Sequence, residues 1–396
     1  MKYMIPKEID KISESDLQAL IDNSVLEQKT LDYKKLLPGN KDEDKKEFLA
    51  DVSSFANASG GDLIYGITQD NATGFPKELT GIESENVDQE IQRLESIIRE
   101  GLDPRIPSVE IWPVNLSNAK NILVIRVHKS WISPHRIRFK SYHKFYSRNS
   151  NGKYELDVGE LRIAFTLSDT IVKKIRQFRE DRIAHIFAAE TPVPFVDSAK
   201  IVLHLIPFVS FNAGQHYEID KIASDSSRYM SPIYCRGWSY RYNLDGFLTY
   251  SVGNSTKSHS YVQLFRNGIV EAVEGLILSN GSQLYIPSVA FERELIESTP
   301  RFLAILKTLN VELPVFAFLT LISVKGYWMG TGRRLSHDER LTIDKDVLLL
   351  PEAVVEDYNV KAEELLRTCF DSIWNACGFS KSMNYDENGK WADNRY

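Results

Sequence analysis

The fold is restricted first by a helical pattern that ends at two adjacent glycines. Apolar residues recur at helical spacing through residues 42–57, and the opposite face is charged. Gly60 and Gly61 follow, and glycine permits the left-handed backbone conformation that ends a helix and turns the chain. The apolar run at residues 62–67 then predicts a strand. The sequence therefore predicts a helix–turn–strand unit of an α/β domain.

Length and proline positions predict two domains. The chain has 396 residues, which is more than one ordinary domain needs and enough for two complete cores. A long helical pattern at about 158–189 ends at a proline-marked joint, residues 190–194, after which a buried strand pattern begins. We therefore expect a first domain at 1–190 and a second at 191–396, both α/β with mixed sheets. We also expect the polar tail from Ser380 onward to be loose.

Composition narrows the cellular setting. The N-terminus lacks an apolar signal region, and no stretch of about 18 uncharged apolar residues occurs. The three cysteines, Cys235, Cys369 and Cys377, form no CxxC motif, so neither a disulfide framework nor a zinc ribbon is expected. These features favour a cytoplasmic protein without a membrane partner. The net charge of −6 means that a nucleic acid would need a local basic patch.

Residues 131–153 supply such a patch. This basic segment contains no Asp or Glu, although the chain as a whole is acidic. Cations beside aromatic rings suit phosphates and stacked bases, so we interpret the basic segment as an RNA-binding surface. The alternative is the charged outer face of a strand pair whose aromatic residues point inward. The candidate contacts are Arg136, Arg138, Lys140, Lys144, Arg148 and Lys153.

Three neighbouring motifs resemble those of one family. They are Glu27-Gln-Lys-Thr-Leu-Asp32-Tyr33-Lys34, then Ser54-Phe-Ala-Asn-Ala-Ser-Gly-Gly61, then Asp62-Leu-Ile-Tyr-Gly-Ile67. Their order and spacing resemble the Schlafen AlbA-type domain, and the resemblance covers roughly residues 20–165. It implies an AlbA-type α/β fold associated with RNA cleavage. Asn57, Gly60 and Gly61 are interpreted as architectural, because a helix that turns into a strand needs a tight junction.

The resemblance also implies an acidic metal site. It assigns Glu27 and Asp32 to the first two acidic positions and places the third near Thr68-Gln-Asp70, where Asp70 lies one or two residues beyond the usual acid. Carboxylates are the ligands that Mg²⁺ and Mn²⁺ prefer, and either cation can activate water and neutralise a phosphate. Lys34 is a candidate phosphate contact, the alternative being a surface ion pair.

The spacing of the first two acids sets a geometric condition. Glu27 and Asp32 are five residues apart, which would put them on opposite faces of one straight strand. They can converge only if Glu27 lies in a turn before the strand begins. The alternative is that both are solvated surface acids.

Two functions remain open at this point. The first is a metal-dependent endoribonuclease that acts on tRNA or another structured RNA, with Mn²⁺ or Mg²⁺ as cofactor and phage defence as its setting. The second is a nucleic-acid- or ATP-binding transcriptional regulator without nuclease activity. No G-x-x-x-x-G-K-[ST] motif occurs, so ATP would need a different kind of site.

The second domain is rich in aromatic residues. Trp238, Tyr240, Tyr242, Tyr261 and Trp328 could form a surface that senses a phage-derived or regulatory ligand, or could belong to the core. The family resemblance also makes a homodimer reasonable, with two basic surfaces facing one RNA.

Overall fold

A computed structural model describes residues 5–84, 86–212, 214–220, 230–252, 256–279, 283–331 and 340–392. The chain divides into two compact units, residues 1–170 and 171–396. The division falls within a long helix rather than after it, where the sequence placed the boundary, because the second half of that helix packs on the second unit's sheet. Both units combine helices with sheets, so the predicted mixed α/β class is confirmed.

The predicted helix at 42–57, the strand after its two glycines and the start of the long helix are all present in the first unit. The helices are α1 (Glu14–Asp22), α2 (Asp42–Asn57), α3 (Val87–Gly101) and the first part of α4 (Val158–Phe187). The strands are β1 (Leu31–Lys34), β2 (Gly61–Tyr65), β3 (Ile67–Gln69), β4 (Pro76–Leu79), β5 (Leu102–Asp103), β6 (Val109–Asn115), β7 (Asn121–Val127), β8 (Arg136–Ile137), β9 (Tyr146–Asn149) and β10 (Gly152–Glu155).

A four-stranded sheet forms the centre of the first unit, in the order β1-β2-β7-β6. β1 and β2 run parallel, and the other neighbours are antiparallel. One face packs against α2 and α3, and the other packs against α1 and the N-terminal segment. On that second face, buried Arg126 binds Asp62 and the carbonyls of Ile5 and Lys7, which fixes the N-terminal segment to the sheet.

The junction after α2 is as tight as the two glycines predict. Gly60 has a φ of +71°, and a Cβ there would lie 2.8 Å from the Val127 oxygen. Asn57, at the end of α2, donates to the carbonyls of His135 and Tyr146 and accepts from the His135 amide. These contacts join α2 to the basic segment, and they agree with an architectural role for Asn57.

The second unit is built on one large antiparallel sheet with the order β12-β13-β14-β15-β11-β17-β19, and β20 also pairs with β17. Its strands are β11 (Lys200–Pro207), β12 (Trp238–Tyr242), β13 (Gly246–Ser251), β14 (Ser260–Phe265), β15 (Val270–Glu274), β16 (Tyr285–Pro287), β17 (Val315–Ile322), β18 (Trp328–Gly330), β19 (Val347–Leu349) and β20 (Ala353–Val355). Its further helices are α5 (Ser288–Thr308), α6 (Ala362–Leu365) and α7 (Arg367–Ala376).

The C-terminal tail is packed, at least through residue 392, so the expectation of a loose tail is wrong. The buried carboxylate of Glu292 on α5 accepts hydrogen bonds from Ser382, Asn384 and Trp391 of the tail and from Trp374. Polar composition suggested solvation, but here the polar groups serve as donors to one internal carboxylate.

Candidate active site

β1 presents two of the predicted site residues on one face. Leu31 and Tyr33 point into the core that α1 covers. Because side chains alternate along a strand, Asp32 and Lys34 point the other way, towards α2. Lys34 Nζ lies 3.2 Å from Asp32 Oδ1, so the acid and the base form an ion pair on this face.

Glu27 meets Asp32 because the chain turns back before β1. An isolated bridge between Gln28 and Leu31 marks this turn, and Glu27 Oε1 accepts a hydrogen bond of 2.9 Å from the amide of Tyr33. The condition that the odd spacing imposed is therefore met. The residue is exposed overall, but partial burial of its carboxyl group, together with the hydrogen bond and charge of Asp32, raises the pKa of Glu27 to about 7.

Asp32 is almost fully buried and keeps its charge. Burial alone would raise the pKa of Asp32, but Lys34 and the guanidinium of Arg148 outweigh it and lower the pKa. Arg148 Nη2 donates to Asp32 Oδ2 at 2.8 Å, and its guanidinium lies 4.1 Å from the centre of the Phe55 ring. Asp32 Oδ1 is buried and accepts no hydrogen bond within the described part of the chain.

Asp51 is a member of this cluster that sequence reasoning missed. It lies on α2 with 2% exposure, and its Oδ2 is 3.8 Å from Lys34 Nζ. A signal was present, since Asp51 stands three residues after Phe48 and four before Phe55, within the apolar stripe of α2. A carboxylate in an apolar stripe needs a buried partner.

The hairpin β9–β10 supplies cations to both buried acids. Arg148 on β9 pairs with Asp32, and Lys153 on β10 donates to Asp51 Oδ1 at 2.7 Å and also to Glu47. We call the residues Glu27, Asp32, Lys34, Asp51, Arg148 and Lys153 the site cluster.

Asp70 does not complete a metal triad with Glu27 and Asp32. Its Oδ1 accepts hydrogen bonds from the amides of Ala72 and Thr73 and from the Thr73 hydroxyl, so it caps the turn after β3. Within the residues described, no group of three or more His, Cys, Asp or Glu side chains is placed to hold a metal ion. In this structure the carboxylate of Asp70 is used locally, in the turn after β3.

The basic segment is less basic in the structure than in the sequence. Acids from other parts of the chain face five of its six candidate residues. The pairs are Arg136–Asp103, Lys140–Asp42, Lys144–Glu155, Arg148–Asp32, and Lys153 with Asp51 and Glu47. Arg138 is exposed, and no acidic partner for it is seen in the described chain. Arg148 differs most from expectation, because it is buried and serves Asp32 rather than an outer surface.

Comparison with known proteins agrees with the motifs. About a third of the chain, residues 27–157, matches the family described as "Schlafen, AlbA_2". This part of the protein is a Schlafen AlbA-type domain. No curated protein matches the chain. One solved structure that does match is the N-terminal domain of a RecG-related protein from Nitrosomonas europaea, with 22% identity over 28% of this chain and 71% of that one, at a TM-score of 0.23.

A Schlafen AlbA-type domain is broadly associated with nucleic acids, and that coarse assignment holds here. None of the described helices is long and apolar enough to cross a membrane.

In the second unit, Tyr240 and Tyr242 are exposed, whereas Tyr261 is fully buried and donates to Glu271. Tyr261 is therefore a core residue and cannot belong to the expected sensing surface.

The Schlafen AlbA-type domain offers two carboxylates to a divalent cation. Mg²⁺ is usually held by one or two protein carboxylates, while water and substrate phosphates complete its shell. Glu27 and Asp32 interact directly, and Asp32 Oδ1 makes no hydrogen bond among the described residues, with Lys34 Nζ 3.2 Å away as its ion-pair partner. The carboxylate donors of this pair are of the type that Mg²⁺ and Mn²⁺ prefer, although no group of three or more candidate ligands forms there among the described residues.

Proposed function

We propose that the Schlafen AlbA-type domain of this chain cleaves RNA, with tRNA or another structured RNA as substrate and Mg²⁺ or Mn²⁺ as cofactor. The observation that carries the proposal is the contact between Glu27 and Asp32 beside Lys34. Two carboxylates in contact repel each other, so their arrangement is unfavourable without a proton or a cation between them. Strongly perturbed acids at an accessible position are typical of functional sites.

The two acids share one role in the proposed reaction, and Lys34 has another. Glu27 and Asp32 would hold the cation, which would neutralise the scissile phosphate and activate the attacking oxygen. The side chain of Lys34 is about one third exposed, so its ammonium can donate to a phosphate oxygen while Asp32 holds it in place. Nearby carboxylates, Asp51 and Asp32, outweigh burial and raise the pKa of Lys34, which keeps it charged.

Four exposed or half-buried cations are the proposed contacts to the RNA backbone. They are Arg136, Arg138, Lys140 and Lys144. Surface ion pairs contribute only about 0–1 kcal/mol, so Lys140 and Lys144 can exchange their carboxylate partners for phosphates at little cost. Arg148 and Lys153 serve the site cluster instead.

The test compares isosteric variants on total tRNA. Wild type, Glu27→Gln and Asp70→Asn are incubated with Mn²⁺, with Mg²⁺ and with EDTA, and the products are separated on denaturing gels. We expect metal-dependent fragments from wild type and from D70N, and none from E27Q. Equal fragments from E27Q and wild type would refute the proposal, and loss of cleavage in D70N alone would return Asp70 to the metal site. Circular dichroism checks that each variant is folded.

A second candidate function is nucleic-acid or ATP binding without turnover, as in a transcriptional regulator. It is favoured by one observation, namely that only two of the three expected acids meet. In that case tRNA or DNA would shift on a native gel in a salt-dependent manner, remain intact with every metal, and shift equally with E27Q. ATP is tested in the same gels by its effect on the shift.

A further inference from the structure

Asp51 is a buried carboxylate to which the proposed reaction assigns no role. It lies on α2 among Phe48, Val52 and Phe55, all of which are fully buried. A charge in such a place adds little to stability, because replacing a buried ion pair by apolar side chains of similar volume is often neutral or stabilising. The role of Asp51 therefore depends on where its charge lies relative to neighbouring groups.

The neighbours of Asp51 are two lysines at unequal distances. Lys153 donates to Asp51 Oδ1 at 2.7 Å, whereas Lys34 Nζ lies 3.8 Å from Asp51 Oδ2. The charge of Asp51 is compensated mainly by Lys153, and Lys34 is attracted without a close hydrogen bond. Lys34 therefore keeps donor capacity for another acceptor.

Lys34 is held between carboxylates from two different elements. Asp32 on β1 lies 3.2 Å from its ammonium, and Asp51 on α2 approaches it from the facing helix. A lysine side chain has a flexible four-carbon stem, so one acid alone would leave the ammonium free to move. Two rigidly mounted acids restrict it to one position, which a phosphate-binding lysine requires.

We infer that Asp51 is a positioning residue, which holds the ammonium of Lys34 against Asp32 where the phosphate of the RNA substrate would bind. Lys153 is its counter-charge. The inference rests on the proposed ribonuclease function for its consequence in catalysis, but the placement of Lys34 can be measured without activity.

The first measurement is the chemical reactivity of Lys34. Full-length wild type, Asp51→Asn and Asp62→Asn are labelled briefly with an amine-acetylating reagent, and the modification of each lysine is quantified by mass spectrometry. Asp62 is the matched control, because it is equally buried and ion-paired but its partner is Arg126 on the other face of the sheet. We expect Lys34 labelling to rise several-fold in D51N and to stay at the wild-type level in D62N. Equal Lys34 labelling in all three proteins would overturn the inference.

The second measurement separates turnover from binding. In D51N we expect kcat for tRNA cleavage to fall about ten- to a hundredfold, since small displacements of a reacting group have effects of this size, while KM stays within about twofold. D62N should keep the wild-type kcat. An unchanged kcat in D51N, with E27Q inactive, would overturn the inference and leave the ribonuclease function standing. Absence of cleavage by wild type would refute that function, and the labelling alone would then decide whether Asp51 positions Lys34.

Discussion

The two units each contain a cluster of charged residues around at least one buried carboxylate, and the two clusters differ in how completely their acids are satisfied. In the second unit, Glu271 on β15 accepts hydrogen bonds from Arg182, His204 and Tyr261. We call these four residues the sheet cluster. Both oxygens of its single carboxylate have two donors. In the site cluster of the first unit, Glu27 and Asp32 instead face each other, and Asp32 Oδ1 accepts no hydrogen bond among the described residues.

This difference appears in the acidities of the two clusters. Burial would raise the pKa of Glu271, but hydrogen bonds from Arg182 and His204 outweigh it and lower the pKa to about 2. Burial and the neighbouring Asp32 raise the pKa of Glu27 to about 7. In the sheet cluster the charge of the buried carboxylate is stabilised, whereas in the site cluster the charge of Glu27 is disfavoured beside that of Asp32. The same residue types therefore form a structural ion-pair cluster in one unit and a candidate functional site in the other.

The sheet cluster should show the largest effect on stability. Glu271→Ala leaves the Arg182 guanidinium without its buried counter-charge, and we expect the free energy of unfolding to fall by about 3–5 kcal/mol. Urea unfolding followed by circular dichroism measures the change. The control is Glu352→Ala, which removes the exposed partner of Arg176 on the same helix, with an expected loss below about 1 kcal/mol. Similar losses in both variants would contradict a structural role for the sheet cluster.

Substitutions in the site cluster should affect stability and activity differently. In Asp32→Asn, buried Arg148 loses its counter-charge, so the free energy of unfolding should fall by about 2–4 kcal/mol. In Glu27→Gln a repulsive contact is removed, so stability should be unchanged or higher while metal-dependent cleavage is lost. Thermal unfolding of both variants provides the measurement. Strong destabilisation by E27Q would mean that Glu27 is a structural acid like Glu271.

The sequence predicted α2 and the turn after it well because their signals are local. The apolar stripe and the two glycines determine α2, and the structure begins and ends that helix at the expected residues, Asp42 and Asn57. The approach of Glu27 to Asp32 was also foreseeable, since it depends only on a turn between two neighbouring positions. Local patterns carry this information in the residues themselves.

The part of the site that the sequence did not predict depends on contacts between segments that lie far apart in the chain. The basic segment contains no acid, yet acids from α2 and other elements pair with most of its cations. Nothing local in residues 131–153 indicates that Lys153 would meet Asp51, about a hundred positions earlier. The tail behaves in the same way, because its polar residues bind Glu292 on α5.

Acidic pH offers a further test of the sheet cluster. Because the folded-state pKa of Glu271 lies near 2, its contribution to stability is present above the unfolded pKa of about 4.3 and is lost as the pH falls towards 2. Between about pH 5 and about pH 3, wild type should lose about 2 kcal/mol more than Glu271→Gln, which does not titrate. Urea midpoints at the two pH values measure the difference. Parallel losses would show that Glu271 is not held as a stabilised carboxylate.

The smallest expected effect concerns Arg138, an exposed residue of the basic segment. Arg138→Ala removes a solvent-exposed cation, so it should leave thermal stability unchanged and weaken tRNA binding about fivefold at physiological salt. The slope of log affinity against log salt should fall by about one, as expected for one lost phosphate contact. Lys361→Ala is the control, because Lys361 is also exposed but lies in the second unit. If both variants bind tRNA with the wild-type slope, the basic segment is the charged outer face of its strands, and RNA must be held elsewhere in the domain.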